Sequence, residues 1–226
     1  MMNMLRRQRS ASTRDEVYAA LREDILSLKL PPGTPLSENE ASQRFEVSRT
    51  PVRESLMKLA QEGLVQVLPQ RGTFVSLIDT SLVEEARFMR EHLECAVVEL
   101  ACTAFDDQSY RELMSNLDRQ RGSIERVDLE GMFQLDQEFH ELLFKGTGKS
   151  HTWGALGQLT VHLNRSRRLR LVDDHNWGHL YEQHRQIAEA ISAKDSSHAK
   201  ALMKNHLNLN VADQALLKEK YPQYFI

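Results

Sequence analysis

Two cysteines in 226 residues are too few to staple a fold together. They are Cys95 and Cys102, and a spacing of seven along a helical stretch stacks them on one face, too far apart to bond. Reduced thiols in a cytoplasmic protein are the expectation. No apolar run approaches the roughly 18 residues of a membrane helix, so no membrane partner is expected. The first ten residues carry Arg6, Arg7 and Arg9 but no apolar core, which argues against a secretory signal and leaves 1–11 as a disordered arm. An excess of positive charge is missing too, since the net charge is −3. That charge is uneven: residues 1–78 sum to +2 and the remainder to −5. Such a split permits a DNA-binding first half without requiring one, so the placement of the charges has to decide.

Apolar periodicity predicts a helix from Ser12 to Leu28, with Val17, Leu21 and Ile25 recurring on one side. Pro31, Pro32, Gly33 and Pro35 stop it. Ser37 and Glu40 have the spacing of a capping box and open a short helix that carries Ala41 and Phe45 inward. Val47-Ser48-Arg49-Thr50-Pro51 turns into another helix, through Val52, Leu56 and Leu59 to Gly63. Two β-branched runs, 64–68 and 73–77, flank Pro69-Gln70-Arg71-Gly72 as a hairpin. After Asp79 strand signals end, and six helices are predicted over roughly 80–104, 108–127, 129–146, 150–171, 177–193 and 195–218. The fold class is therefore mostly α: a winged helix-turn-helix over 12–78, then an all-helical bundle over 79–226.

The order helix, helix, turn, helix, hairpin suits a module whose last helix enters the major groove by its N-terminal end. Ser48, Arg49, Thr50 and Arg53 sit at that end, and Arg49 and Arg53 lie one turn apart on the face opposite Val52, Leu56 and Leu59. Arginine can grip guanine O6 and N7 with two hydrogen bonds. Arg71 and Gly72 form the tip of the wing, where Arg71 can lie along the minor groove. The runs Pro32-Gly33-Thr34-Pro35-Leu36-Ser37-Glu38, Val47 to Glu54, Gly63-Leu64-Val65 and Gln70 to Val75 resemble the GntR family of bacterial regulators over about residues 14–77. That resemblance implies base reading by Arg49 and Arg53, and backbone or groove contacts by Ser48, Thr50 and Gly72. Asn39 departs from it, since many members carry arginine there.

In the second half, Asp136 and His140 share one helix face with Met132, Phe133 and Leu143. His184 shares its stripe with Leu180, Ile187, Ala188 and Ile191, and His206 with Leu202, Met203 and Leu209. A carboxylate and three imidazoles on apolar faces of three helices are expensive to bury unless a cation compensates them. Zinc, nickel, iron or manganese suits that donor set. His92, His151, His162, His175, His179 and His198 are assigned to ordinary packing or surface. The pattern Asp136, His140, His184-Arg185, Ile187, Ala190-Ile191, Met203 and His206-Leu207 resembles the FCD ligand-binding domain of the FadR-type subgroup, over about 80–218. The resemblance implies Asp136, His140, His184 and His206 as ligands of a divalent metal, commonly zinc or nickel, with a small carboxylate effector held beside it by arginine. Arg90 is a candidate for that arginine, and Asn164 and Arg168, four apart on a later helix, are further candidates.

Together these features predict a homodimeric repressor binding double-stranded operator DNA under control of a small carboxylate. A purely structural metal is one alternative. A metal-dependent hydrolase is another, but no general base stands at a telling spacing: Glu138 and Glu141 should point off the His140 face.

Overall fold

The computed structural model describes residues 12–173, 177–208 and 210–226, so the arm at 1–11 and His175 lie outside the described residues. The chain divides into two compact units, Met1–Leu77 and Ile78–Ile226.

In the first unit, α1 (Thr13–Leu26) is capped by Ser12, whose hydroxyl accepts from Asp15 N. Its buried stripe of Val17, Leu21 and Ile25 packs on α3 (Arg49–Gln61), which buries Val52, Leu56 and Leu59. The fully buried Ser55 hydroxyl ties the two helices together, donating toward Pro51 O and Arg14 O at 2.8 and 3.0 Å. Between them lie β1 (Pro35–Leu36) and α2 (Glu38–Arg44), the latter capped by Ser37. The hairpin comprises β2 (Val65–Leu68) and β3 (Gly72–Val75). Pro35–Leu36 joins it as an outer strand, giving an antiparallel sheet of order β1-β3-β2. Two residues beginning with proline carry no alternation to read, so this strand was absent from the sequence expectation; an outer strand is where proline is tolerated. Gly72, with φ of +106°, supplies the backbone conformation that closes the wing.

Eight helices are described in the second unit: α4 (Thr80–Ala104), α5 (Asp107–Glu125), α6 (Leu129–Gly146), α7 (Ser150–Leu159), α8 (Val161–Asp173), α9 (Trp177–Ser192), α10 (Ser196–Asn208) and α11 (Asn210–Lys220). The helix expected over 150–171 is two. Thr160 separates them as the C-cap of α7, and its carbonyl accepts the first bond of α8, from Asn164 N at 2.8 Å. The segment expected as 195–218 is described as α10 and α11. The core joins Val98 and Ala101 of α4, Leu113 of α5, Phe139 and Leu143 of α6, Ile187 of α9 and Met203 of α10. At the start of α4, Asp79 caps Ser81 N and Leu82 N, while Ile78 pairs with Phe225 in a parallel bridge. Among the described residues no helix is long and apolar enough to cross a membrane.

Leu59 is fully buried where α3 meets α1. Leu59→Ala is expected to cost about 2–5 kcal/mol in urea denaturation of the first unit followed by circular dichroism.

Candidate nucleic-acid interface and candidate metal centre

The exposed face of the first unit follows from how α3 is anchored. With Val52, Ser55, Leu56 and Leu59 turned inward, Arg49, Thr50 and Arg53 are left in solvent. Ser48 holds the N-cap in extended conformation, and its side chain makes no capping bond. The hydroxyl is thus available at a helix N-terminus, where the backbone dipole favours anions. Arg71 and Gly72 are exposed at the wing tip. Arg53 alone of the three arginines is held: Nε and Nη2 donate to Oε1 and Oε2 of Glu38, each at 2.9 Å. Asn39, the departure from the family pattern, is exposed on α2.

In the second unit, α6, α9 and α10 bring Asp136, His140, His184 and His206 together, all buried, with one ligand atom of each within 4.8 Å of the others. His206 Nε2 lies 3.3 Å from both His184 Nε2 and His140 Nε2, and His184 Nε2 lies 3.7 Å from Asp136 Oδ1. The outer nitrogens are engaged elsewhere: His184 Nδ1 with Gln120 Oε1 and His206 Nδ1 with Gln183 Oε1, both at 2.9 Å. His140 Nδ1 is in close contact with Glu94 Oε2 at 2.5 Å.

The partners of His184 fix its tautomer. The Leu135 carbonyl can only accept, so Asn116 Nδ2 donates to it, and Asn116 Oδ1 accepts from Gln120 Nε2. Gln120 therefore turns its carbonyl oxygen to His184, which must carry its proton on Nδ1. A hydrogen bond of this kind on the outer nitrogen leaves Nε2 with an inward lone pair. Burial, above all, pushes His184 down to about 3 and holds His206 well below the ordinary imidazole range. Both are neutral at physiological pH, and the His184 Nε2 lone pair faces His206 Nε2. Burial opposes ionisation of Asp136, but the Arg167 guanidinium and the surrounding imidazoles outweigh it and hold the carboxyl well below its usual range. Arg167 Nη2 bonds Asp136 Oδ2, and Oδ1 is left without a hydrogen-bond partner.

The three effector candidates fall in different places. Arg90 is buried on α4, its Nε donating to Glu94 Oε1 at 2.5 Å, one residue removed from His140. Asn164 is turned to Thr160, and Arg168 bonds Glu130 and stacks on the Phe133 ring at the start of α6. Arg167, which touches Asp136, was not singled out in the sequence, nor were Glu94, Gln120 and Gln183. An arginine and a glutamate four apart on the apolar face of Val97 and Ala101 were a legible signal for the Arg90–Glu94 pair. Two histidines assigned to ordinary roles have buried or polar partners: His162 Nδ1 accepts from Asp79 N at 3.0 Å, and His179 Nε2 lies 3.0 Å from Gln183 Nε2.

Comparison with known proteins joins the two arrangements in one class. Residues 13–75 match bacterial regulatory proteins of the gntR family, and residues 85–209 match the FCD domain. The chain belongs to the GntR family and is a DNA-binding transcription regulator with an FCD domain. Among particular relatives, it is 38% identical to the HTH-type transcriptional repressor RspR of Escherichia coli (strain K12), over 85% of this chain and 84% of RspR. It is 39% identical to an HTH-type transcriptional regulator in the unstable DNA locus of Streptomyces ambofaciens, over 95% of this chain and 90% of that one. Among solved structures, E. coli McbR/YncC shares the fold, with a TM-score of 0.77 at 21% identity over 92% of this chain and 99% of McbR. These relatives are regulators, and the hydrolase alternative falls with them.

Among the described residues, Glu94 is the one ion-pair partner of the buried Arg90. Glu94→Leu is expected to cost about 3–5 kcal/mol in chemical denaturation, because it strands a buried guanidinium. Arg185→Ala, which breaks only exposed pairs with Glu182 and Glu189, should leave the midpoint nearly unchanged.

Proposed function

We propose that the protein is a cytoplasmic, homodimeric repressor whose operator binding responds to a small carboxylate at a divalent metal in the helical unit. The observation that carries this reading is the convergence of three imidazole Nε2 atoms and one unpartnered carboxylate oxygen on a single buried point. A divalent cation would satisfy all four of these donor atoms at once. Asp136, His140, His184 and His206 would hold the ion, zinc or nickel by their donor set, with Gln120, Gln183 and Glu94 orienting the imidazoles. The ion would supply open coordination positions to an anionic ligand.

A carboxylate as that ligand is supported by two further atoms. Arg90 Nη2 and Arg167 Nη1 are buried donors without a hydrogen-bond partner among the described residues. A carboxylate accepts from two such forks at once. In the first unit, Arg49 and Arg53 would read bases, Arg71 the minor groove, and Ser48, Thr50 and Gly72 the backbone. Homodimerisation follows from the short half-site one such module reads, which two-fold symmetry doubles. The two free, buried cysteines agree with a reducing compartment. Repression is the sign carried by the name of RspR.

Arg49→Ala combined with Arg53→Ala is expected to abolish the protected footprint on the promoter regions beside its gene; a footprint as strong as wild type would remove this reading of α3. Purified protein should contain about one equivalent of divalent metal per chain by elemental analysis, and His206→Ala should lack it. Gln120→Ala should weaken metal affinity by about 10–100-fold in competition with a chelator. Chelation that abolishes the response to carboxylates but preserves the fold identifies a sensing ion; collapse of the fold identifies a structural one.

A further inference from the structure

Glu38 stands at the first position of α2, and its carboxylate faces the arginines of α3 rather than open solvent. Its backbone is fixed from both sides: Ser37 caps the helix, and the Ser42 hydroxyl donates to Glu38 O at 2.6 Å. From this platform both carboxylate oxygens take the same edge of one guanidinium, Nε and Nη2 of Arg53. A guanidinium carries five N–H donors in a rigid plane. With the side edge committed, one N–H of Nη1 and the outer N–H of Nη2 are left along the terminal edge. That edge is one with which arginine grips O6 and N7 of guanine. Among the described residues, Arg49 and Arg71 have no such side-chain brace.

We propose that Glu38 is a positioning residue for operator specificity, aiming the terminal edge of Arg53 at a guanine and penalising sequences that offer no such partner. The proposal rests on Arg53 as a base reader. Its physical basis is twofold. A side chain with many rotamers is braced before DNA arrives, so less freedom is lost on forming the base contact. A carboxylate at the groove also repels phosphate and base acceptors, so sequence-independent binding is weakened while the correct contact is kept.

The test is selection of bound sequences from a randomised duplex pool by full-length wild type, Glu38→Ala, Glu38→Gln and Arg53→Ala, with affinity for a scrambled duplex measured at fixed salt. Arg53→Ala should lose a guanine preference at one position of each half-site. Glu38→Ala should weaken the preference at that same position by about three- to tenfold, leave the Arg49-dependent position intact, and bind scrambled duplex no more weakly than wild type. Glu38→Gln, keeping one acceptor, should fall between. A head that had merely been destabilised would lose both positions and the scrambled duplex together, which would overturn the proposal. So would a Glu38→Ala pool with unchanged preference and tighter overall binding, since Glu38 would then be a latch that DNA must open. If Arg53→Ala loses no position, Arg53 reads no base and this inference falls with that reading.

Discussion

Seven ionisable side chains are buried around one point in the helical unit: Arg90 and Glu94 from α4, Asp136 and His140 from α6, Arg167 from α8, His184 from α9 and His206 from α10. A buried charge that loses its partner is left with a desolvation cost of roughly several kcal/mol. Polar geometry therefore adds to close packing in registering these five helices. The arrangement is directional as well: the chain from the Leu135 carbonyl through Asn116 and Gln120 to His184 assigns every donor and acceptor along it. Glu94 is the hinge of the network, in contact with both Arg90 and His140, and these two outweigh burial to keep its carboxyl down at about 2.

The first unit solves the opposite problem. Its candidate DNA-reading side chains are charged groups in water, where they cost little, and what must be rigid is the helix that presents them. The packing of α1 on α3 supplies that rigidity, with an apolar stripe sealed by the Ser55 hydroxyl and an Arg22–Glu62 ion pair. Specificity is then a matter of which exposed side chains are free to move. Arg49 and Arg71 are unbraced, while Arg53 is fixed by a carboxylate fifteen residues away.

This contrast explains what could be read from the sequence. Exposed groups on a short amphipathic helix announce themselves: the turn at Val47 to Pro51 fixes the start of α3, and periodicity then assigns Arg49 and Arg53 to the face away from Val52 and Leu56. Asp136, His140, His184 and His206 were legible for the same reason, each being polar on an otherwise apolar stripe. In α8 the method has no purchase. Arginines at 165, 167 and 168 are all buried alongside Leu163, Leu169 and Leu171, so the helix has no polar face against which to judge an intruder. Nothing local distinguishes Arg167, against Asp136, from Arg168, against Glu130. Gln120 and Gln183 were hidden differently, since glutamine is ordinary on an exposed face and nothing local marks these two as buried and bonded to imidazoles.

That same helix carries the contact most relevant to communication. Arg167 holds Asp136 from α8, and His162, five residues earlier on the same rod, accepts from the backbone of Asp79, the residue that caps α4 where the second unit begins. Five residues of helix span about 7.5 Å and transmit displacement without bending. His162 is pushed down to about 4, chiefly by burial and then by Arg165, so it is neutral and its Nδ1 lone pair stays committed to Asp79 across the physiological range. Within the second unit, its first residue is also bonded to the C-terminal segment, through Ile78 N to Tyr224 O and Ile226 N to Ile78 O. A ligand that competed with Asp136 for the Arg167 guanidinium would bear on α8, and α8 cannot shift along its axis without straining the hydrogen bond at Asp79. Affinity for such a ligand would matter only through the difference it makes between the two positions of that helix.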